Sequence, residues 1–147
     1  MAIQTANYTH KAHKCLGNTG FKIAREDMTL ADLTAITDYI EHNLIGNLHM
    51  TRHACEEMME YGIYCGCSDI ENLLLDTNNL VEIQKHAKFK TPAFLFRKDV
   101  STVFSLCAVV ATNGEVITIY GNRIDQKHSN KVKSLYRIGG KVEQLLH

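Results

Sequence analysis

Thr102-Val-Phe-Ser-Leu-Cys-Ala-Val-Val-Ala-Thr-Asn-Gly-Glu-Val-Ile-Thr-Ile-Tyr120 reads as a β-hairpin. Asn113-Gly114 has strand-forming residues on both sides, and Asn-Gly accepts the positive φ angles of a two-residue type I′ turn. The spacing predicts strands over 102–111 and 115–120. A turn of this type pairs Ala111 with Val116, Val110 with Ile117, Val109 with Thr118, Ala108 with Ile119 and Cys107 with Tyr120. Side chains alternate across a strand, so Phe104, Leu106, Ala108 and Val110 join Ile117 and Ile119 on one apolar face. Ser105, Cys107, Val109, Thr118 and Tyr120 share the other, which is expected to be an open surface. Shorter strand signals at 80–83 and 93–97 extend the hairpin to a four-stranded (or slightly larger) antiparallel sheet.

Upstream the apolar period becomes helical. Thr29 with Asp32 three residues on is a capping box, and Leu30, Leu33, Ile36, Ile40 and Leu44 make a stripe that ends at Gly46. Thr51 caps a second helix over 52–61, closed by Gly62. Ala54, Met58 and Tyr61, widened by Cys55 and Met59, form its apolar side, and Glu56, Glu57 and Glu60 its acidic side. Ser68 and Glu71 suggest a third capped helix, buried through Ile70, Leu73 and Leu74 and ended by the turn-forming residues 76–79. The expectation is one α+β domain over 1–147. An irregular arm (1–25) precedes a helical layer (29–76) on one face of the sheet (80–121). A basic tail (122–147) follows, with a helix around 130–136 and Val142, Leu145 and Leu146 packed back.

The chain has 147 residues, 45% of them hydrophobic, with one proline, which suffices for a substantial core. No apolar run has bilayer length and no secretion signal is visible, so no membrane association is expected. Five cysteines, an odd number without regular spacing, suit reduced thiols in a cytoplasm, either the cell's own or that of a cell into which the chain is delivered. His10, His13 and Cys15, with Cys65 and Cys67, could ligate a metal, but neither set matches a zinc spacing, so no metal or other cofactor is expected.

Net charge is zero but unevenly spread: residues 26–82 hold twelve acids and one base, and residues 83–147 eleven bases and four acids. Such a dipole steers a polyanion to one side and a basic partner to the other. Lys85, Lys88, Lys90, Arg97 and Lys98 have no acid among them and are interleaved with Phe89, Phe94 and Phe96. Charges for phosphates beside rings for bases are what an RNA groove needs, although a solvated hairpin over core phenylalanines has the same composition. His53 and Arg52 occupy the first turn of the Thr51 helix, where the helix dipole favours a neutral, base-competent imidazole. A histidine beside a helix start also serves as a capping or packing residue. His128, within the basic tail, is a second acid or base.

The Thr-Arg-His-Ala helix start, Gly62-Ile63, the following helix and the Ile-Thr-Ile-Tyr strand together resemble the small RelE-like ribonuclease toxins. They are most similar to an uncharacterised family in that superfamily with the pattern T-x-H-A-x-x-R-M-x-x-R-G-[IV]. The resemblance covers about residues 48–121, and Glu57 and Tyr61 stand where that family usually has arginine. The superfamily also includes barnase, EndoU and colicin nuclease domains. The resemblance implies a metal-independent endoribonuclease acting on tRNA or ribosome-associated RNA. In it the ribose 2′-hydroxyl attacks the phosphate, leaving a 2′,3′-cyclic phosphate. It implies His53 as general base or acid, and Arg97 with Arg52 as phosphate stabilisers. Thr118 and Tyr120 would position the phosphate or donate a proton, with Lys85, Lys88, Lys90, Lys98 and His128 binding RNA. A neutralising antitoxin or immunity protein is the implied partner; neither DNA nor membrane is. Two other classes remain open: a non-catalytic RNA- or protein-binding module on the same scaffold, and a metal or thiol-redox protein using the His and Cys residues.

Overall fold

The computed structural model describes residues 20–85, 91–125, 135–137 and 142–146. In chain order the elements are β1 (Phe21–Ala24), α1 (Leu30–Tyr39), β2 (His49–Met50), α2 (Arg52–Tyr61), α3 (Cys67–Leu74), β3 (Leu80–Lys85), β4 (Ala93–Asp99), β5 (Phe104–Ala111), β6 (Glu115–Arg123) and α4 (Glu143–Leu146). The fold is α+β, as expected. Two features of the sheet differ from the reading above. It has six strands, in the order β1-β3-β4-β5-β6-β2, and it is mixed, because β2 runs parallel to β6. β1 and β2 are four and two residues long, too short to show a period in sequence. The arm assigned to 1–25 therefore ends in a strand, while His10, His13 and Cys15 lie outside the described residues.

The main core lies on one face, under the helices, as expected. Ile36, Ile40 and Leu44, Ala54 of α2, Ile70, Leu73 and Leu74 of α3, and Val142 and Leu146 at the C-terminal end bury against Ile83, Phe94, Phe96, Ala108, Val110, Val116 and Ile119. The capping residues behave as their chemistry requires. Thr29 and Asp32 cap each other's backbone N–H, and Thr51 Oγ1 accepts from the Ala54 N–H. Gly62 closes α2 with φ 65°. α1 does not run on to residue 45 as an α-helix. Its last turn, Ile40–Leu44, is π-helical, with the Ile45 N–H on the Ile40 carbonyl, and Gly46 ends it at φ 82°. α3 starts earlier than Ser68: Gly66 is its N-cap, and Asp69 Oδ2 accepts the Gly66 N–H at 2.8 Å. Glu71, expected in a box with Ser68, instead accepts the Gly46 N–H. In the tail, residues 126–134 and 138–141 lie outside the described residues; Tyr136 forms a parallel bridge with Lys22, and Val142 and Leu146 are buried as expected. No helix among the described residues is long and apolar enough to cross a membrane.

The hairpin reaches its expected pairing by an unexpected route. Gly114, with φ 95°, is the turn residue in the left-handed region, and the Gly114 N–H donates to the Ala111 carbonyl. The turn is thus a three-residue loop, 112–114, rather than a type I′ pair. The extra loop residue shifts the register so that Val110 faces Val116. A bulge at Ile117 restores it, and Val109–Thr118, Ala108–Ile119 and Cys107–Tyr120 pair as predicted. Ile117 is the displaced residue, 36% exposed instead of in the core, and the fully buried Val116 takes its place. The carbonyls of Val116 and Ile117 accept hydrogen bonds from Thr51 Oγ1. The bulge therefore anchors the first turn of α2.

Gly114 packs against the segment before β2: a Cβ there would lie 2.5 Å from the Asn47 carbonyl oxygen. Gly114→Ala combines that clash with a φ that L-residues avoid, so it should destabilise the fold by about 1–3 kcal/mol. Urea denaturation checks the size, and loss of amide-exchange protection at His49 and Thr51, both bonded to this turn region, checks the place.

Candidate functional site

The second face of the sheet is where the sequence placed Thr118 and Tyr120. It is not open. Thr118 is 8% and Tyr120 3% exposed, because α2 packs along β6 and its C-terminal half reaches round the edge of the curled sheet. Tyr61 of α2 joins Leu95, Cys107 and Tyr120 in a second apolar cluster, flanked by Ile63, Val81 and Val109. Burial, then the nearby Glu60 and Glu57 carboxylates, push the Tyr61 phenol above its ordinary pKa.

Glu57, expected on the solvent arc of α2, is buried instead. Its side chain is 4% exposed, whereas Met59 and Cys55, assigned to the apolar stripe, face solvent. His53 Nε2 lies 2.9 Å from Glu57 Oε1, and Thr118 Oγ1 donates a short hydrogen bond to the same oxygen. The imidazole, 62% exposed, thus stands over a buried carboxylate held from below by a strand hydroxyl. Two signals for Glu57 are present in the sequence. It is four residues after His53, so the two side chains are helical neighbours, and three after Ala54, on the stripe that continues to Tyr61.

A histidine ring on a carboxylate has a set tautomer and orientation: Nε2–H points at Glu57, and in the neutral ring Nδ1 is the basic nitrogen. This is a device for moving a proton at the protein surface, with the carboxylate as orienting group. Thr118, expected to position a phosphate, is instead committed to Glu57. Tyr120 is one strand from Arg97 across Cys107, all three in register on this face, and hydrogen-bonds the Cys107 thiol.

The expected cations are dispersed. Arg52 is next to His53 but extends into solvent, 93% exposed, with Nε 3.0 Å from Glu56 Oε1; an exposed pair of this kind is weak and readily exchanged. Arg97 donates from Nη2 to the Arg123 carbonyl at 2.9 Å, clamping β4 to the end of β6. Arg97 and the exposed Lys98 border a shallow recess with Asn78 and Asn79. Lys85 ends β3, opposite Phe21 of the edge strand β1 and three strands from β6. Lys88, Lys90 and His128 lie outside the described residues. Among the described residues, no group of three or more His, Cys, Asp or Glu side chains is arranged to hold a metal ion.

The thiols differ sharply. Burial pushes Cys107 up to about 12, against the opposing pull of Arg97 and the Tyr120 hydrogen bond, and pushes Cys65 up to about 11; Cys55 is exposed. Among the described cysteines, Cys55 should react first with a thiol reagent in the native state, and Cys107 only on unfolding. From the ordinary value of 9.0 upward, the unfolded chain releases the Cys107 proton and the folded chain keeps it. Stability is therefore full below about pH 9 and is lost as pH rises towards 12. Thermal melts should show this fall, and a smaller fall in Cys107→Ala.

The fold and site together define an α+β protein in which a helix-mounted histidine–carboxylate pair rests on a β-strand threonine. No family model, no curated protein and no solved structure matches the chain.

Proposed function

We propose that the chain is a metal-independent endoribonuclease in which His53 moves the proton. The observation that carries this is the exposed His53 imidazole oriented by a buried Glu57–Thr118 support. The similarity of the Met50–Ile63 and Val116–Tyr120 sequences to RelE-like ribonucleases supplies the reaction class. In the proposed step His53 Nδ1 takes the proton of a ribose 2′-hydroxyl, whose oxygen bonds to the adjacent phosphorus. The bond from phosphorus to the 5′-oxygen breaks, the departing oxygen takes a proton from water, and a 2′,3′-cyclic phosphate remains, with the proton taken by His53 returning to solvent. Arg52, released from Glu56, is the cation adjacent to His53 in sequence and would contact the reacting phosphate, with Arg97 and Lys98 along the strand flank as RNA contacts. Glu57 is a positioning residue, and Thr118 positions Glu57.

Purified chain incubated in EDTA with total tRNA and ribosomal RNA should yield discrete fragments ending in cyclic phosphate. Intact RNA, with or without ribosomes and added Mg²⁺ or Zn²⁺, sinks the reading. One observation favours a second reading, a non-catalytic binding module: the exposed Glu56 and Glu60 beside His53 make this helix surface acidic, which opposes a polyanion. That reading predicts harmless expression in cells, where the ribonuclease reading predicts growth arrest relieved by His53→Ala.

A further inference from the structure

On the helical side of the sheet, away from the His53 pair, the loop after α2 and the β4–β5 connection border an apolar groove. Its walls are Ile63, Tyr64 and Cys65 on one side, and Val100, Phe104 and Leu106 on the other. Tyr64 is 93% exposed, and Val100 and Val103 are 61% and 57% exposed. An aromatic ring wholly in solvent beside two exposed valines is an unusual way to leave the surface of a chain this size, and such patches rimmed by polar residues mark binding sites. Gly121 also lines the groove, so the strand adds no side chain there.

The charges choose the occupant. Asp69 is the charged residue in the lining, Asp99 immediately precedes Val100, and no Lys or Arg lines the groove. The stretch of chain that supplies the Ile63–Asp69 wall, residues 26–82, holds twelve acids and one base. We infer that this groove docks a basic, apolar-anchored segment of a protein partner: an aliphatic or aromatic side chain seated between Tyr64 and Leu106, with flanking Lys or Arg near Asp69 and Asp99. The acidic rim disfavours nucleic acid at this site, and complementary charge fixes the orientation of the segment. The inference is independent of the ribonuclease reading.

The test is a titration of the ¹⁵N-labelled full chain with a short synthetic peptide alternating Leu and Phe with Lys, and with its twin carrying Glu for Lys. The Lys peptide should shift the amides of Tyr64, Cys65, Asp69 and residues 100–106. Binding should weaken about tenfold in Tyr64→Ala and in Val100→Lys, which alter exposed side chains of the lining, and several-fold in Asp69→Asn, which keeps an oxygen for the Gly66 N–H. Added salt should weaken it further. Equal binding of the Glu twin, or shifts located elsewhere, overturns the proposal. So does concentration-dependent self-association of the unliganded chain through these residues, which would make the occupant a second copy.

Discussion

His53→Ala should reduce RNA cleavage by about a hundred- to ten-thousand-fold while leaving the thermal melt nearly unchanged. The imidazole is mostly exposed, so its removal exposes Glu57 to water rather than opening a cavity, and the fold has little reason to respond. Cleavage by the variant at the wild-type rate would move the chemistry away from α2 altogether. Glu57→Gln separates positioning from scaffolding. It keeps the shape and an oxygen for both partners but loses the carboxylate that sets the ring. If Glu57 acts through His53, kcat per folded molecule should fall about ten- to a hundred-fold with KM held, and Thr118→Val should follow in the same direction. A purely structural Glu57 would lower the melting temperature and the folded fraction, yet leave kcat per folded molecule unchanged.

Lys22→Met should be the most destabilising single change outside the apolar core, at about 3–5 kcal/mol. Lys22 on β1 and Glu82 on β3 are 3% and 1% exposed, and their charged atoms are 3.0 Å apart. Tyr136 donates its hydroxyl to Glu82 Oε1 at 2.6 Å, and Gln84 donates to Oε2 at 2.8 Å. Burial, and then the Glu82 carboxylate, hold the Tyr136 phenol far above the usual tyrosine range. Removing the lysine leaves a carboxylate with hydrogen bonds but no counter-charge in a dry environment. The double variant Lys22→Met/Glu82→Leu should recover much of the loss, because the desolvation of both charges goes together. Urea midpoints at constant m-value measure both. A loss below about 1 kcal/mol in the single variant would show that water reaches the pair.

Most of the fold was legible because local chemistry and tertiary demand agree. The Thr29 box, the Thr51 cap and Gly62 act within a few residues of themselves, and tertiary packing had no cause to override them, whereas the apolar stripes held only in part, with Leu30 and Met59 both 81% exposed. The inner hairpin pairs Val109–Thr118 and Cys107–Tyr120 were also readable, although by two compensating departures, a longer loop and a bulge. What was misread lies where a distant partner decides. Residues 21–24 and 49–50 are strands because β3 and β6 offer them free edges, which no period in so few residues can announce. Ile117 leaves the core because Thr51, far away in sequence, takes the bulge carbonyls.

The candidate site divides in the same way. His53 at a helix start, and Thr118 and Tyr120 on one strand face, follow from sequence alone, through cap chemistry and the period of two. That the face is covered, that Glu57 turns inward and that His53 and Thr118 meet on one of its oxygens were decided only by the curl of the sheet, which lets α2 touch both faces of β6. Helical periodicity ranks residues by their apolar character. A carboxylate enters the buried stripe only when a partner offsets its desolvation, here the Thr118 hydroxyl of β6, and that is a fact of three dimensions.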